Sequence, residues 1–360
     1  MTLATTPPAQ TPEHRRFHRL RVSRVERLCD DAVAVTFDVP DELTGLYAFQ
    51  PGKSLALRRF VDGREERRSY SICAPAGARP RVGVREVPGG LLSSWLVHEV
   101  RPGDEIEVQP PSGSFTGDLL PGERHVMIAA GSGITPILSL AASALAAGSH
   151  VTLFYGNRRS GTVMFADELA DLKDRHPARF ELVHVLSREP REAELFSGRL
   201  DAERLAALLP PLVPVGEVDH WWLCGPHGMV TGAREALKGF DVPDERVHQE
   251  LFYVGETERH VEEPVPAGPG SAVTVVLDSR TTTLELPAGT TVLDGAQRVR
   301  PDLPFACKGG VCGTCRAKVT AGEVTMRRNF ALDPAETDAG FVLTCQALPV
   351  TDAVTVDYDA

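Results

Sequence analysis

Long apolar runs and an export signal are both missing from this sequence of 360 residues. A membrane-spanning helix takes about 20 consecutive apolar residues, and no segment reaches that length. The first twelve residues lack the basic start and the apolar core of a signal peptide. We therefore expect no membrane partner and no secretion, and residues 1–15 are predicted to be a disordered tail.

An excess of basic residues is missing as well. Lys and Arg number 38 against 49 Asp and Glu, which gives a formal net charge of -11. Because phosphate contacts need a basic face, we expect no nucleic-acid partner. An acidic surface could dock on a basic partner, although a merely solvated surface is the more common case.

Cysteine is scarce, with seven residues, yet four of them form one pattern. Cys307, Cys312 and Cys315 follow a C-x4-C-x2-C spacing, and Cys345 stands alone further along the chain. This is the plant-type ligand spacing of a 2Fe-2S cluster, in which four thiolates hold two irons. The glycines within the loop would let backbone N–H groups approach an anionic cluster.

Two other interpretations of the four cysteines stay open at this point. A structural zinc site usually takes two C-x2-C-like pairs, whereas three of these cysteines share one loop. Two disulfides would suit a secreted chain, and nothing in the sequence indicates secretion. We expect the remaining Cys29, Cys73 and Cys224 to be free thiols, which fits a reducing cytoplasm as the location.

The length of the chain exceeds one usual core, so two or three domains are expected. Residues 16–118 contain short strands separated by turn signals, which is typical of a small antiparallel β-barrel. Residues 119–255 alternate apolar strands with helical patterns, which predicts an α/β domain with a parallel sheet. Residues 256–271 are acidic and rich in Pro and Gly, as a linker should be. Residues 272–360 indicate a hairpin, a helix over 292–299 and then the cysteine loop.

Two segments of the first domain have the chemistry of a phosphate and ring site. Strand alternation would put Arg68 and Tyr70 on one face, a cation for phosphate beside an aromatic ring, with Ser71 able to bond a ring nitrogen. Gly89 and Gly90 precede a predicted helix, whose positive end favours phosphate. Taken alone, the segment with Arg68 and Tyr70 could be an ordinary exposed strand, and the segment with Gly89 and Gly90 could be a turn that caps a helix.

In the second domain, a G-x-G turn at residues 131–133 lies between a predicted strand and a predicted helix, the context that supports a nucleotide site. Cys224 ends a later strand, where a buried core cysteine is the ordinary alternative. Arg188 follows another strand and could pair with a phosphate, although an exposed arginine is commonplace.

These motifs together resemble the ferredoxin-NADP reductase superfamily, and residues 272–360 resemble the ubiquitin-like α+β fold of plant-type ferredoxins. The resemblance implies catalytic roles beside flavin and nicotinamide for Ser71, Cys224 and Glu250. It implies contacts with FAD for Arg68, Tyr70, Ser71, Val84, Gly89, Gly90, Leu91 and Ser93, and contacts with the nicotinamide nucleotide for Gly131, Gly133, Thr135, Pro136, Ser187, Arg188, Cys224, Gly225 and Pro226. Phe252 is implied to lie near the flavin face. The implied cluster ligands are Cys307, Cys312, Cys315 and Cys345.

The resemblance also implies a cofactor preference and a partner. Arg188 matches the pocket for the 2'-phosphate of NADPH, whereas NAD-specific sites commonly place an acidic residue there. The domain order and the segments 306–319 and 340–349 look very like the family of reductase subunits of bacterial phenylacetyl-CoA epoxidases. This implies electron transfer from NADPH through FAD and a 2Fe-2S cluster to a di-iron oxygenase. Reductases of ketosteroid 9α-hydroxylases or aromatic-ring hydroxylases are the alternative, and a non-enzymatic redox sensor would not need the nicotinamide positions.

Overall fold

A computed structural model describes residues 13–14, 16–253, 270–332 and 334–360. The predicted tail, apart from residues 13 and 14, and the predicted linker, apart from residues 270 and 271, lie outside the described residues. The chain divides into two compact units, one built mainly from residues 17–255 and the other mainly from the C-terminal residues.

The first unit begins with six antiparallel strands and one helix. The strands are β1 (His18–Cys29), β2 (Ala32–Asp38), β3 (Ser54–Val61), β4 (Arg64–Ser71), β5 (Arg81–Arg85) and β6 (Glu105–Val108), and helix α1 spans Leu91–His98. Their order in the sheet is β4-β3-β6-β1-β2-β5, and a bridge between Ile72 and Val82 brings the two ends of the sheet together. This closure gives the predicted barrel around a core of aliphatic residues and Phe37.

A five-stranded parallel sheet follows in the same unit. Its strands are β7 (Arg124–Ala130), β8 (His150–Asn157), β9 (Phe180–Leu186), β10 (His220–Pro226) and β11 (Val247–Tyr253), and its helices are α2 (Ile134–Ala147), α3 (Ala166–Arg175), α4 (Ala202–Leu212) and α5 (His227–Gly239). The order β11-β10-β7-β8-β9 puts β7, β10 and β11 side by side. In such sheets ligands bind at the carboxyl ends of the strands.

The barrel and the parallel sheet pack tightly against each other. A Cβ atom added to Gly83 would lie 2.4 Å from Thr135 Cγ2, so only glycine fits there. Ser139 Oγ donates a hydrogen bond to the Ala74 carbonyl at 2.6 Å. Arg81 forms a bidentate ion pair with Glu168, with N–O distances of 2.6 and 2.9 Å. These contacts fix β5 and the segment at Ala74 against helices α2 and α3 of the parallel-sheet domain.

The second unit has a mixed five-stranded sheet and a small two-stranded one. Its elements are β12 (Ser271–Leu277), β13 (Arg280–Leu286), α6 (Val292–Ala296), β14 (Arg316–Ala321), β15 (Val324–Met326), α7 (Pro334–Asp338), β16 (Phe341–Leu343), β17 (Ala347–Pro349) and β18 (Ala353–Asp357). The sheet orders are β13-β12-β18-β14-β16 and β15-β17. The predicted hairpin is formed by β12 and β13.

Helix α6 is shorter than predicted, because it ends at Ala296 rather than at Val299. Beyond Ala296 the Arg298 N–H donates to the Gly295 carbonyl at 3.3 Å and the Val299 N–H to the Ala296 carbonyl at 3.1 Å, so a turn with bonds to carbonyls three residues back replaces the α-helix. Among the described residues, no helix has the length and apolar character of a membrane span.

Candidate functional site

Ser71, Cys224 and Glu250 come together where the barrel meets the parallel sheet. Ser71 is the last residue of β4, and Cys224 and Glu250 are partners in the register of β10 and β11. Ser71 Oγ donates a hydrogen bond to Glu250 Oε2 at 3.2 Å. Residues 179 positions apart in sequence therefore form one polar contact.

The three side chains are held in an unusual electrostatic environment. Glu250 keeps some accessible surface, but its carboxyl group is enclosed by protein, and this burial raises its pKa to about 7 against the opposing effect of Ser71. Burial, and then the charge of Glu250, raise the pKa of the Cys224 thiol. Near neutral pH the site holds a neutral thiol beside a carboxyl group that exchanges its proton.

The G-x-G turn lies directly against the end of β10. A Cβ atom on Gly133 would be 2.1 Å from the Cys224 carbonyl oxygen, and one on Gly225 would be 2.6 Å from Met229 Cε. Thr135 is buried and donates from Oγ1 to the Ser132 carbonyl at 3.0 Å, which fixes the start of α2. A side chain at Gly133 or Gly225 would therefore clash with its neighbours. With glycine at both positions, no side chain fills the space that a flat ring would need.

Other residues that were predicted to contact a cofactor belong to the same domain as this junction. Pro136 is buried in α2, Pro226 is exposed at the end of β10, and Phe252 is partly buried against the core of the parallel sheet. The structure places all three within the first unit.

A glycine turn precedes helix α1, as predicted for the phosphate site. Gly89 has φ +74°, and a Cβ atom on Gly90 would lie 2.6 Å from Ser93 Oγ. The Ser93 hydroxyl accepts from the Val87 N–H at 3.1 Å and donates to the Gly90 carbonyl at 3.2 Å, so it fixes the turn. The first N–H groups of a helix have no partner within the helix, which suits this turn to an anion.

A groove of about 270 Å³ opens beside this turn. It is lined by Gly89, Gly90 and Leu91 and by Trp95, whose ring lies 4.6 Å from the Arg59 guanidinium. Glycine N–H groups and the Arg59 guanidinium can donate to the phosphates of FAD, and the Glu99 carboxyl group also lines the groove.

The strand residues predicted for FAD differ in exposure. Arg68 is exposed on β4, whereas Tyr70 is half-buried and packs on the barrel core. Val84 is fully buried within that core and pairs with Val33 of β2. Leu91 is exposed at the start of α1.

The predicted 2'-phosphate pocket lies beyond the ends of β8 and β9. The Ser187 N–H donates to the Asn157 carbonyl at 2.9 Å, and the Arg188 N–H donates to the Arg158 carbonyl at 2.8 Å. Arg158, Arg159 and Arg188 are all exposed at this edge. The sequence prediction did not include Arg158 and Arg159. Their position directly after strand β8 could have indicated them, because ligands bind at the carboxyl ends of parallel strands.

Arg85 was also missed. It is at the end of β5, donates from Nε to Asp31 Oδ1 at 3.2 Å and from Nη2 to the Thr162 carbonyl. A Cβ atom on Gly131 would lie 3.3 Å from Arg85 Nη1, so this barrel cation reaches the G-x-G turn. The sequence holds no signal for that contact, because the two residues belong to distant segments of the chain.

The four predicted cluster cysteines are arranged as two pairs in the second unit. A hydrogen bond from the Cys312 thiol lowers the pKa of Cys307 to about 5, and the same contact raises that of Cys312. Cys315 and Cys345 form the other pair, in which the pKa of Cys345 is lowered and that of Cys315 raised. Two thiolates for each of two irons is the arrangement of a 2Fe-2S cluster.

Glycines shape the loop that holds the cysteines. Among the residues that the structure describes, no three His, Cys, Asp or Glu side chains gather around one metal position. Gly309 donates its N–H to Cys307 Sγ at 3.3 Å, and Gly310 and Gly313 have φ angles of +78° and +68°. The glycines thus let the loop turn backbone donors towards the sulfurs.

Three family models match the chain. They are an oxidoreductase FAD-binding domain over residues 19–116, an oxidoreductase NAD-binding domain over residues 127–235 and a 2Fe-2S iron-sulfur cluster binding domain over residues 275–350. They confirm the prediction of FAD, a nicotinamide nucleotide and a 2Fe-2S cluster as cofactors.

Similar proteins carry the same parts in one chain. A subunit of the 1,2-phenylacetyl-CoA epoxidase of Escherichia coli is 42% identical over 96% of this chain and 98% of its own length. The ferredoxin reductase component of 3-ketosteroid-9-alpha-monooxygenase of Rhodococcus rhodochrous is 34% identical over 97% of this chain and 99% of its own. The structure of phthalate dioxygenase reductase aligns with a TM-score of 0.61 and 24% identity, over 97% of this chain and all of that one, which confirms the predicted fold.

The shared parts and the extent of the similarity define what kind of protein this is. It is an oxidoreductase, similar to reductase components that pass electrons to an oxygenase. The chain belongs to the family of oxygenase reductases with FAD-binding, NAD-binding and 2Fe-2S domains that includes the matching subunit of 1,2-phenylacetyl-CoA epoxidase.

Proposed function

We propose that this protein takes electrons from NADPH and delivers them, through FAD and a 2Fe-2S cluster, to a di-iron oxygenase that epoxidises phenylacetyl-CoA. The observation that carries the reductase chemistry is the Ser71–Glu250 contact beside Cys224. The nitrogen atoms of a flavin ring can accept a hydrogen bond from such a hydroxyl, and a redox sensor that transfers no hydride has no need of this contact.

FAD, when bound, accepts a two-electron hydride and releases electrons singly to an iron-sulfur cluster. In our proposal the Ser71 hydroxyl lies beside the flavin ring and the Cys224 thiol lies beside the nicotinamide. Because the thiol is buried and neutral, it adds no charge against an incoming hydride. Gly133 keeps the backbone open at the same point.

Glu250 is proposed to hold the proton of this site. Its pKa of about 7 lets both forms of the carboxyl group exist near neutral pH. Through the 3.2 Å contact with Ser71 Oγ, a proton on Glu250 Oε2 can be exchanged with the hydroxyl beside the flavin.

The phosphates of FAD are proposed to lie against the turn at Gly89 and Gly90, with Arg68 as a charge partner. The groove lined by Arg59 and Trp95 supports this assignment because it continues from the same turn. The N-terminus of α1 adds the favourable end of a helix dipole.

The preference for NADPH rests on charge. Arg158, Arg159 and Arg188 are exposed at the carboxyl ends of β8 and β9, where a 2'-phosphate would be held and an acidic residue would favour NAD. Arg85 is proposed to meet the nucleotide phosphates at Gly131.

The four cysteines, in the pairs Cys307–Cys312 and Cys315–Cys345, are proposed to ligate the two irons. Thiolate ligands and free thiols such as Cys29 fit a reducing compartment, so we propose the cytoplasm as the location.

The epoxidase is proposed as partner because the 42% identical relative is named as a subunit of that enzyme. The ketosteroid monooxygenase reductase, at 34% identity, supports a second candidate acceptor. An acceptor assay separates the two: the protein is mixed with NADPH and with either purified oxygenase, and product is measured. Product with the phenylacetyl-CoA epoxidase alone is expected, and product with the ketosteroid monooxygenase alone would overturn the assignment.

A further inference from the structure

Gln346 follows the last cysteine and points its side chain back into the cysteine loop. Its Nε2 donates to Cys345 Sγ at 3.5 Å and to the Lys308 carbonyl at 2.9 Å. Both partners are acceptors, so the NH2 end of the amide must face them. Gln346 is 7% exposed, and water therefore does not compete strongly for these bonds.

The loop holds this amide in place from several sides. Lys308 has φ +50°, and its Nζ donates to Asp294 Oδ1 at 2.9 Å and to Gln297 Oε1 at 2.8 Å, contacts that involve its side chain and not the carbonyl that Gln346 uses. A Cβ atom on Gly310 would lie 3.1 Å from Gln346 Cγ, so glycine makes room for the side chain. These contacts fix the orientation of the Gln346 amide.

We propose that Gln346 is a positioning residue that raises the reduction potential of the 2Fe-2S cluster by its side-chain hydrogen bond to Cys345. The proposal rests on the proposed ligand role of the four cysteines. Hydrogen bonds to the sulfurs are one of the factors that set cluster potentials. Reduction adds one electron to the cluster, so the ligand sulfurs become more negative and attract an N–H donor more strongly. The amide proton stays on Gln346, and no bond in the chain is broken.

The direct test is an EPR-monitored redox titration of the complete, cofactor-loaded protein and its Gln346→Leu variant. Leucine keeps the bulk and removes the donor. The equilibrium constant for cluster reduction should fall about threefold in Gln346→Leu, which is about 28 mV at about 59 mV per tenfold change for one electron.

Gln297→Leu is the matched control, because Gln297 contacts the Lys308 ammonium and not a sulfur. Its cluster potential should stay at the wild-type value. An unchanged or higher potential in Gln346→Leu would overturn the proposal, and so would an equal shift in Gln297→Leu. Wild-type protein without any 2Fe-2S EPR signal would instead contradict the proposed cluster itself.

A second measurement covers the case in which Gln346→Leu assembles no cluster. Wild-type protein made by cell-free synthesis with glutamine labelled with ¹⁵N at the side-chain amide is reduced and examined by pulsed EPR. A ¹⁵N coupling to the cluster is expected, and it should persist in Gln297→Leu. Absence of that coupling in the wild type would overturn the proposal without any substitution at Gln346.

Discussion

At the scale of single residues, the Ser71–Glu250 contact has a consequence for stability. The folded protein raises the pKa of Glu250 from 4.5 to about 7, so the folded state binds more protons than the unfolded state between these values. The stabilising effect of the bound proton is complete below pH 4.5 and is lost as the pH rises through 7. Between pH 5 and 8 the loss at this one site is about 2 kcal/mol.

Replacing this carboxyl group tests that argument. Glu250→Gln should show a smaller fall in unfolding midpoint between pH 5 and 8 than the wild type, as measured by thermal denaturation. Glu181→Gln, at an exposed carboxyl group on β9, is the control and should behave like the wild type. Identical pH dependence in wild type and Glu250→Gln would contradict the raised pKa.

Arg188 allows a separate prediction about the nucleotide. Arg188→Glu should weaken binding of NADPH about tenfold or more and that of NADH much less, since only NADPH carries the 2'-phosphate. Binding is measured by calorimetry with NADP⁺ and NAD⁺. Arg175→Glu, an exposed arginine in the last turn of α3, should change neither affinity. Equal losses for both nucleotides in Arg188→Glu would show that the pocket is elsewhere.

At the scale of secondary structure elements, three adjacent strands carry a cluster of histidines. His125 on β7, His220 on β10 and His248 on β11 surround Trp222, which stacks on His248 at 4.1 Å and donates to His125 Nδ1 at 3.3 Å. Burial lowers the pKa values of His125 and His248 to about 4. The unfolded state therefore binds more protons between pH 6.5 and 4, and stability falls as the pH falls through that window.

His248→Phe keeps a ring against Trp222 and removes one titrating group. From pH 7 to 5 the wild type should lose about 2 kcal/mol of unfolding free energy for each of the two buried histidines. Urea denaturation of His248→Phe should show a loss smaller by about 2 kcal/mol. A loss as large as in the wild type would mean that His248 does not take up a proton on unfolding.

The elements also show what the sequence can and cannot predict. The cysteine spacing and the G-x-G turn are local patterns, and the fold class that they indicated is confirmed. The domain limits and the roles of the site residues stay predictions. The sequence did not predict the contacts of Arg85 with Gly131 and of Gln346 with Lys308, because both depend on how distant segments of the chain pack. Helix α6 ends early because the N–H groups of Arg298 and Val299 bond to carbonyls three residues back, a local change that the apolar pattern does not show.

At the scale of the whole molecule, the junction of Ser71, Cys224 and Glu250 and the cysteine loop belong to two separate compact units. A defect in one should therefore leave the other working. Cys312→Ser should abolish the 2Fe-2S EPR signal while NADPH still bleaches the flavin. Cys29→Ser, at a half-buried thiol outside the four, should keep both signals. An unchanged cluster signal in Cys312→Ser would refute its role as a ligand.

In our proposal, one chain carries electrons from NADPH through FAD to a 2Fe-2S cluster. The most direct measurement is an anaerobic titration of the purified protein with NADPH and, separately, NADH, followed by visible absorption and EPR. We predict flavin bleaching and a reduced 2Fe-2S signal at lower concentrations of NADPH than of NADH. A protein that contains flavin and iron but stays oxidised with both nucleotides would contradict the account.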